Sequence, residues 1–221
     1  MSTLTYSKKL KKLKYGTLMK KRECIKEYSF MQYGIKRVFD IFMSLLLFLA
    51  VSPIILYSIY RIKKESTGPI FFKQDRVGLK GKVFTCYKFR SMHVNSHFNP
   101  YTQDNDTRIF AYGNTMRKYR IDELAQILNI LKGDMHLIGP RAEWNILVDT
   151  YNKEIKNYEK RHLVRPGITG LAQVYYPYGR NINDAKKKLK YDLFYIQNWS
   201  FLLELKVAWK TVSVILGKKG V

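Results

Sequence analysis

The chain has 221 residues, 46% of them hydrophobic, with 17 Tyr and 12 Phe; that supports one domain with a real core and excludes a disordered chain. Forty Lys and Arg against 17 Asp and Glu give a formal net charge of +23, which points to an anionic partner such as nucleic acid, lipid head groups or a phosphorylated substrate. The two cysteines, Cys24 and Cys86, stand in no metal-like spacing and read as reduced packing residues of a cytosol-facing protein.

Residues 1–35 form a basic N-terminal extension, with Lys8, Lys9, Lys11, Lys12, Lys14, Lys20, Lys21 and Arg22. No leader cleavage site follows it. It reads either as a solvated tail or as an arm lying on anionic membrane lipid, where each Lys or Arg contributes about 1 kcal/mol. Residues 36–64 contain an uncharged run, 41–60, closed by Arg61, Lys63 and Lys64. About 20 apolar residues match the thickness of a bilayer core. Ser52-Pro53 interrupts the run, and both flanks are basic, which suggests that both ends stay on the cytoplasmic side. The expectation is a reentrant helix broken at Ser52-Pro53, with the Ser52 hydroxyl a candidate partner for a carbonyl freed by Pro53. An ordinary kinked transmembrane helix is the competing reading.

Residues 65–221 read as a catalytic-sized head. Ile70–Lys73 and Val83–Phe89 have strand composition, with Gly78 and Gly81 between them, so a β-hairpin is expected. Lys88 and Arg90 alternate onto one face as a candidate phosphate clamp; a solvated strand face accounts for them equally well. Asp104-Asn105-Asp106 and the pair His93 and His97 are too sparse for a metal site and read as turn residues.

A helix is expected over 122–132, with Leu124, Ile127, Leu128 and Leu131 on one stripe and Gly133 as its stop. Asp122 and Glu123 fall in its first turn. Dipole compensation alone could explain two acids there. Arg117, Arg120 and Arg141 favour phosphate chemistry instead, because capping does not require them. Gly139-Pro140-Arg141 and Arg165-Pro166-Gly167-Ile168-Thr169-Gly170 read as constrained loops presenting arginines. Residues 184–197 and 200–216 read as basic amphipathic helices, the second bearing Trp209, suited to a membrane interface or to packing on the core.

Seven motifs then agree in order: KRVFD (36–40), the Ser-Pro break, GPIFFKQDRVG (68–78), FTCYKFRSM (84–92), IDELAQILNILKGDMHLIGPRAE (121–143), RPGITGLAQV (165–174) and YDLFYIQNWSFLLELK (191–206). In these the chain resembles the bacterial sugar transferases that act on polyprenyl phosphate, the monotopic phosphoglycosyl transferases, in their small single-domain form. The resemblance implies an α+β fold: a mostly helical cytosolic head with a short β-hairpin, the reentrant helix, and interfacial amphipathic helices. It implies Mg²⁺, a nucleoside diphosphate sugar donor with uridine as the usual nucleotide, and undecaprenyl phosphate as acceptor. Asp122 would be the nucleophile and Glu123 its helper, both near the metal. Arg117, Arg141, Lys88, Arg90, Arg165 and Asp192 would serve phosphate or substrate. It places the protein at the bacterial inner membrane facing the cytoplasm, among other glycan-assembly enzymes.

The chain departs from the family pattern at Ala142, where a second Pro is usual, at Ala125, and at Glu204, where Asp is commoner. Residues 175–180 replace a shorter segment. A non-catalytic basic membrane scaffold is the alternative function; a nucleic-acid binder is disfavoured by the apolar run and the lack of a recognisable motif.

Overall fold

The computed structural model describes residues 29–94, 106–176 and 181–217. The basic start before residue 29, Cys24, His97, Asp104, Asn105 and the 177–180 part of the inserted segment lie outside the described residues.

Helix α1 spans Phe30–Glu65. It begins earlier than expected because Ser29 and Gln32 form a reciprocal cap: Gln32 N–H donates to Ser29 Oγ at 3.2 Å, and Ser29 N–H to Gln32 Oε1 at 2.8 Å. Pro53 lies inside this single helix rather than between two. A proline removes the hydrogen bond to the carbonyl four residues back, here Leu49. Ser52 Oγ donates to that carbonyl at 2.8 Å, which satisfies the freed acceptor and lets the helix continue. The helix is long and apolar enough to cross a membrane.

Both ends of α1 dock on the rest of the chain. Near the start, Lys36 Nζ donates to Glu204 at 2.8 Å, Arg37 donates to the carbonyls of Ile130 and Leu131, and Asp40 bonds His136. Glu204 also accepts from Tyr195 and from Trp199 Nε1, so a glutamate serves at this position. Near the end, Ser58 shares a 2.9 Å hydrogen bond with Tyr112, Ile62 is fully buried, and Glu65 accepts from Tyr112 N–H at 2.7 Å. Between these anchors Phe42, Leu45, Leu46, Phe48, Leu49, Ile54 and Leu56 are exposed.

Strands β1 (Phe71–Val77) and β2 (Val83–Phe89) pair antiparallel, with Phe71 opposite Phe89 and Val77 opposite Val83. Phe71, Tyr87 and Phe89 face a core that contains Ile62, Phe110, Tyr112, Met116 and Ala125. Helix α2 (Ala111–Lys118) leads to a 3-10 segment, Ile121–Gln126, and then helix α3 (Ile127–Lys132). The expected single helix therefore opens as 3-10 turns. It ends at Gly133 as expected, in the left-handed conformation with φ 95°.

Strands β3 (His136–Ile138) and β4 (Gly167–Thr169) form a parallel pair that composition did not suggest. It fuses the two constrained loops. Gly139 N–H donates to Thr169 O and Gly167 N–H to Pro140 O, each at 2.9 Å. A Cβ on Gly167 would sit 2.1 Å from Gly139 N, so the backbones approach too closely for any side chain there. Between β3 and β4 lie α4 (Asn145–Glu154) and the 3-10 segment Tyr158–Leu163. After β4 come α5 (Leu171–Tyr175), α6 (Ile182–Gln197) and α7 (Phe201–Leu216). On α7, Phe201, Leu202, Leu205, Trp209 and Val212 are exposed, while Glu204 and Val207 are buried.

Candidate active site

The site forms where the 3-10 segment carrying Asp122 and Glu123 packs on β2. Arg120 precedes it with φ 57°, a left-handed conformation uncommon outside glycine and asparagine. This turn redirects the chain out of α2, so that Arg117 in its last turn and the two acids converge.

Glu123 is buried and held by three cations. Its Oε1 accepts from Lys88 Nζ at 3.1 Å and from Arg141 Nη2 at 2.8 Å, and Arg120 Nη1 lies 3.6 Å from Oε2. Burial alone would push its carboxyl up, but Arg141, Lys88 and Arg120 together hold it well below the usual range. Glu123 is therefore a fixed anion.

Asp122 is different. It is partly buried and, among the described residues, makes no hydrogen bond or ion pair. Burial pushes its carboxyl up, the Glu123 charge adds to that, and Lys88, Arg117 and Arg141 pull it back down. The result is an open carboxylate of raised basicity in a cationic surround. Such a group is a better nucleophile than an ordinary aspartate once ionised.

Arg141 is positioned by a second layer. Its carbonyl accepts from Arg161 Nη2 at 2.8 Å, and Arg161 Nε donates to Asp192 at 3.0 Å. Ala142 does not loosen this loop: it is buried, and its carbonyl accepts from Arg76. Cys86 lies beneath, its thiol raised by burial, as suits a packing residue.

Asp122, Glu123, Lys88, Arg117 and Arg141 are thus brought together. The other three expected residues are elsewhere. Arg90 does not join Lys88 in a clamp: its guanidinium is buried and donates to Ser66 Oγ at 2.6 Å, Ser66 O at 2.8 Å and Pro69 O at 2.7 Å. Three acceptors at the α1–β1 junction occupy it, which makes it a structural staple. Arg165 stacks over the Tyr33 ring at 5.6 Å, beside Arg37 and His136. Asp192 is only 2% exposed, paired with Arg161, and burial pushes its carboxyl to about 6; through Arg161 it connects to the Arg141 carbonyl.

Four charged residues beside Arg141 were not anticipated: Arg76, Glu143, Arg161 and Lys188. Arg76 lies within one of the motifs and Glu143 ends another, but nothing local marks them as neighbours. Asp122 and Glu123 are the carboxylates of this site, and Glu123 Oε1 is already taken by Lys88 and Arg141. Among the described residues no group of three potential metal ligands comes together, so a hard divalent cation would need oxygens from a substrate as well.

Comparisons with known proteins identify the family. The family model described as bacterial sugar transferase matches residues 31–218. The chain is 45% identical over 184 residues to the UDP-N-acetylgalactosamine-undecaprenyl-phosphate N-acetylgalactosaminephosphotransferase of Aeromonas hydrophila, covering 82% of this chain and 44% of that protein. It is 41% identical over 187 residues to the uncharacterized sugar transferase EpsL of Bacillus subtilis, covering 85% of this chain and 90% of that protein. It is 38% identical to the UDP-glucose:undecaprenyl-phosphate glucose-1-phosphate transferase of Xanthomonas campestris, covering 83% of this chain and 39% of that protein. The chain thus spans less than half the length of two of these relatives and nearly all of the third. The match runs from the start of α1 to the end of α7 and includes every residue of the cationic site, so the chain belongs to the bacterial sugar transferase family.

Proposed function

We propose that the protein transfers a sugar 1-phosphate from a nucleoside diphosphate sugar, a UDP-sugar by analogy with its relatives, to undecaprenyl phosphate. The observation that carries this is Asp122: an open carboxylate ringed by Lys88, Arg117 and Arg141. In the first step an Asp122 oxygen attacks the sugar-bearing phosphorus. A new O–P bond forms, the bond to the bridging oxygen breaks, and nucleoside monophosphate leaves. In the second step the acceptor's phosphate oxygen attacks the aspartyl phospho-sugar, releasing Asp122 and giving polyprenyl diphosphate sugar. Dividing one difficult displacement into two lowers each barrier.

Lys88, Arg117 and Arg141 stabilise charge on the transferred group. Glu123 keeps Lys88 and Arg141 aimed. Mg²⁺ would be held by Asp122 and by Glu123 Oε2, the oxygen not taken by Lys88 and Arg141, beside donor phosphate oxygens, and would neutralise charge on the phosphoryl group.

The anchors of α1 support a placement at the membrane. Both ends of α1 dock on one head while its apolar middle is exposed, which supports a helix that enters a membrane and returns to the same side. The exposed face of α7, with Trp209 beside Lys206 and Lys210, supports an interfacial position. On this reading the site lies at the surface where a lipid phosphate and a soluble donor meet, on the cytoplasmic face of the bacterial inner membrane, and the reaction is the first step of a surface glycan. Other glycan-assembly enzymes would take the product.

The test is a donor screen with purified protein, Mg²⁺ and undecaprenyl phosphate. Release of nucleoside monophosphate with formation of polyprenyl diphosphate sugar supports the reading. No release with any donor overturns it and leaves a non-catalytic membrane scaffold.

A further inference from the structure

Four lysines crowd α6 between residues 186 and 190. Lys186, Lys187 and Lys190 are exposed, as the charged face of an amphipathic helix should be. Lys188 is not. It is partly buried, and burial lowers its ammonium below the usual lysine range. It sits one turn before Asp192, whose carboxylate is sunk against Arg161, and next to the buried Leu189. That register directs Lys188 toward Glu143, Arg141, Asp192 and Arg161.

Among the described residues the Lys188 side chain makes no hydrogen bond or ion pair. The Glu143 carboxylate is similar: it stands among Arg161, Arg141, Arg76 and Lys188 without a hydrogen bond to any of them. A partly desolvated ammonium without a partner is unfavourable, and an anion docking beside it would offset that. The Glu143 charge offsets part of that cost. Arg141 lies in common between this group and Asp122, since each is within its electrostatic reach.

We propose that Lys188 binds the phosphate that leaves with the nucleoside monophosphate. The inference rests on the phosphotransfer reading above. In-line attack by Asp122 puts the leaving group away from Asp122. When the bridging O–P bond breaks, its electron pair departs on the monophosphate, which gains a negative charge. Lys188 stands beside Arg141 and one helical turn from Asp192, and among the described residues its side chain has no hydrogen-bond partner to give up.

The test is titration of the full chain in nanodiscs with uridine monophosphate, followed by calorimetry. Lys188→Met is expected to weaken binding by ~10- to 100-fold, the usual range for a charge-assisted contact. Lys188→Arg should restore part of it, and Lys187→Met should leave it unchanged. Lys188→Met should also slow adduct formation from donor, while transfer from preformed adduct to acceptor keeps its rate. A purely structural lysine would impair both steps alike, and that result would overturn the proposal, as would unchanged monophosphate binding in Lys188→Met. Failure of the unmodified chain to form an adduct contradicts the Asp122 reading instead; the two are separable because the titration requires no adduct.

Discussion

Asp122 and Glu123 are neighbours in sequence and opposite in condition: Glu123 is bound by Lys88 and Arg141, whereas Asp122 is bound by no side chain among the described residues. One acid is committed to organising cations and the other is left for chemistry. This division predicts a pH dependence. Asp122 must be ionised to attack, and its carboxyl is raised by burial and by Glu123. The acid limb of adduct formation should therefore lie above the ordinary carboxylate range. Glu123→Gln removes a negative charge that opposes ionisation and leaves Lys88 and Arg141 uncompensated. Both effects lower the Asp122 pKa, so the limb should move to lower pH. The plateau rate should fall ~10²- to 10³-fold, as when one preorganised electrostatic group is lost. A pH–rate profile of adduct formation for both proteins checks this.

The buried Arg161–Asp192 pair supports Arg141 through its backbone. Asp192→Asn leaves Arg161 buried without its counter-charge, a change that costs about 3–5 kcal/mol for a buried pair. Denaturant unfolding should show that loss. Adduct formation should fall as well, because the Arg141 carbonyl loses a firmly held donor.

The hairpin, the Gly133 stop and the amphipathic pattern of α7 were legible in the sequence because each is a local signal: alternation, a terminating glycine, a helical period. The fusion of β3 with β4 was not. Three-residue strands carry no period, and Ile138 meets Thr169 only across a long stretch of chain. Arg90 shows the same limit. Its strand parity with Lys88 is plain, but its partner Ser66 comes from the end of α1. The acidic pair and its arginines were legible as a cluster. Which acid would be engaged was not, since that depends on Lys88 arriving from β2. Lys188 was hidden among identical neighbours, and only its register with Asp192 and Leu189 separates it from them.

The docking of both ends of α1 predicts its topology. In a background of Cys24→Ser and Cys86→Ser, single cysteines at Met31 and Lys64, both exposed, should react from the cytoplasmic side alone. Reaction from opposite sides would establish a spanning helix.

The exposed face of α7 predicts membrane contact independent of α1. Replacing Leu205 and Trp209 with Glu should weaken association with anionic vesicles and slow transfer to acceptor, because burial of an apolar side chain contributes roughly 1.5–3 kcal/mol. Release of nucleoside monophosphate in the first step should be retained, since Asp122 and its cations are untouched. Flotation assays and single-turnover kinetics separate the two effects.

The most direct measurement is intact-protein mass spectrometry after incubation with a nucleoside diphosphate sugar and Mg²⁺ in the absence of acceptor. The account predicts a mass gain equal to one sugar phosphate, located on Asp122 by peptide mapping, absent in Asp122→Asn and discharged by polyprenyl phosphate. Product formation at an unchanged rate by Asp122→Asn, or an adduct mapped to another residue, would contradict it.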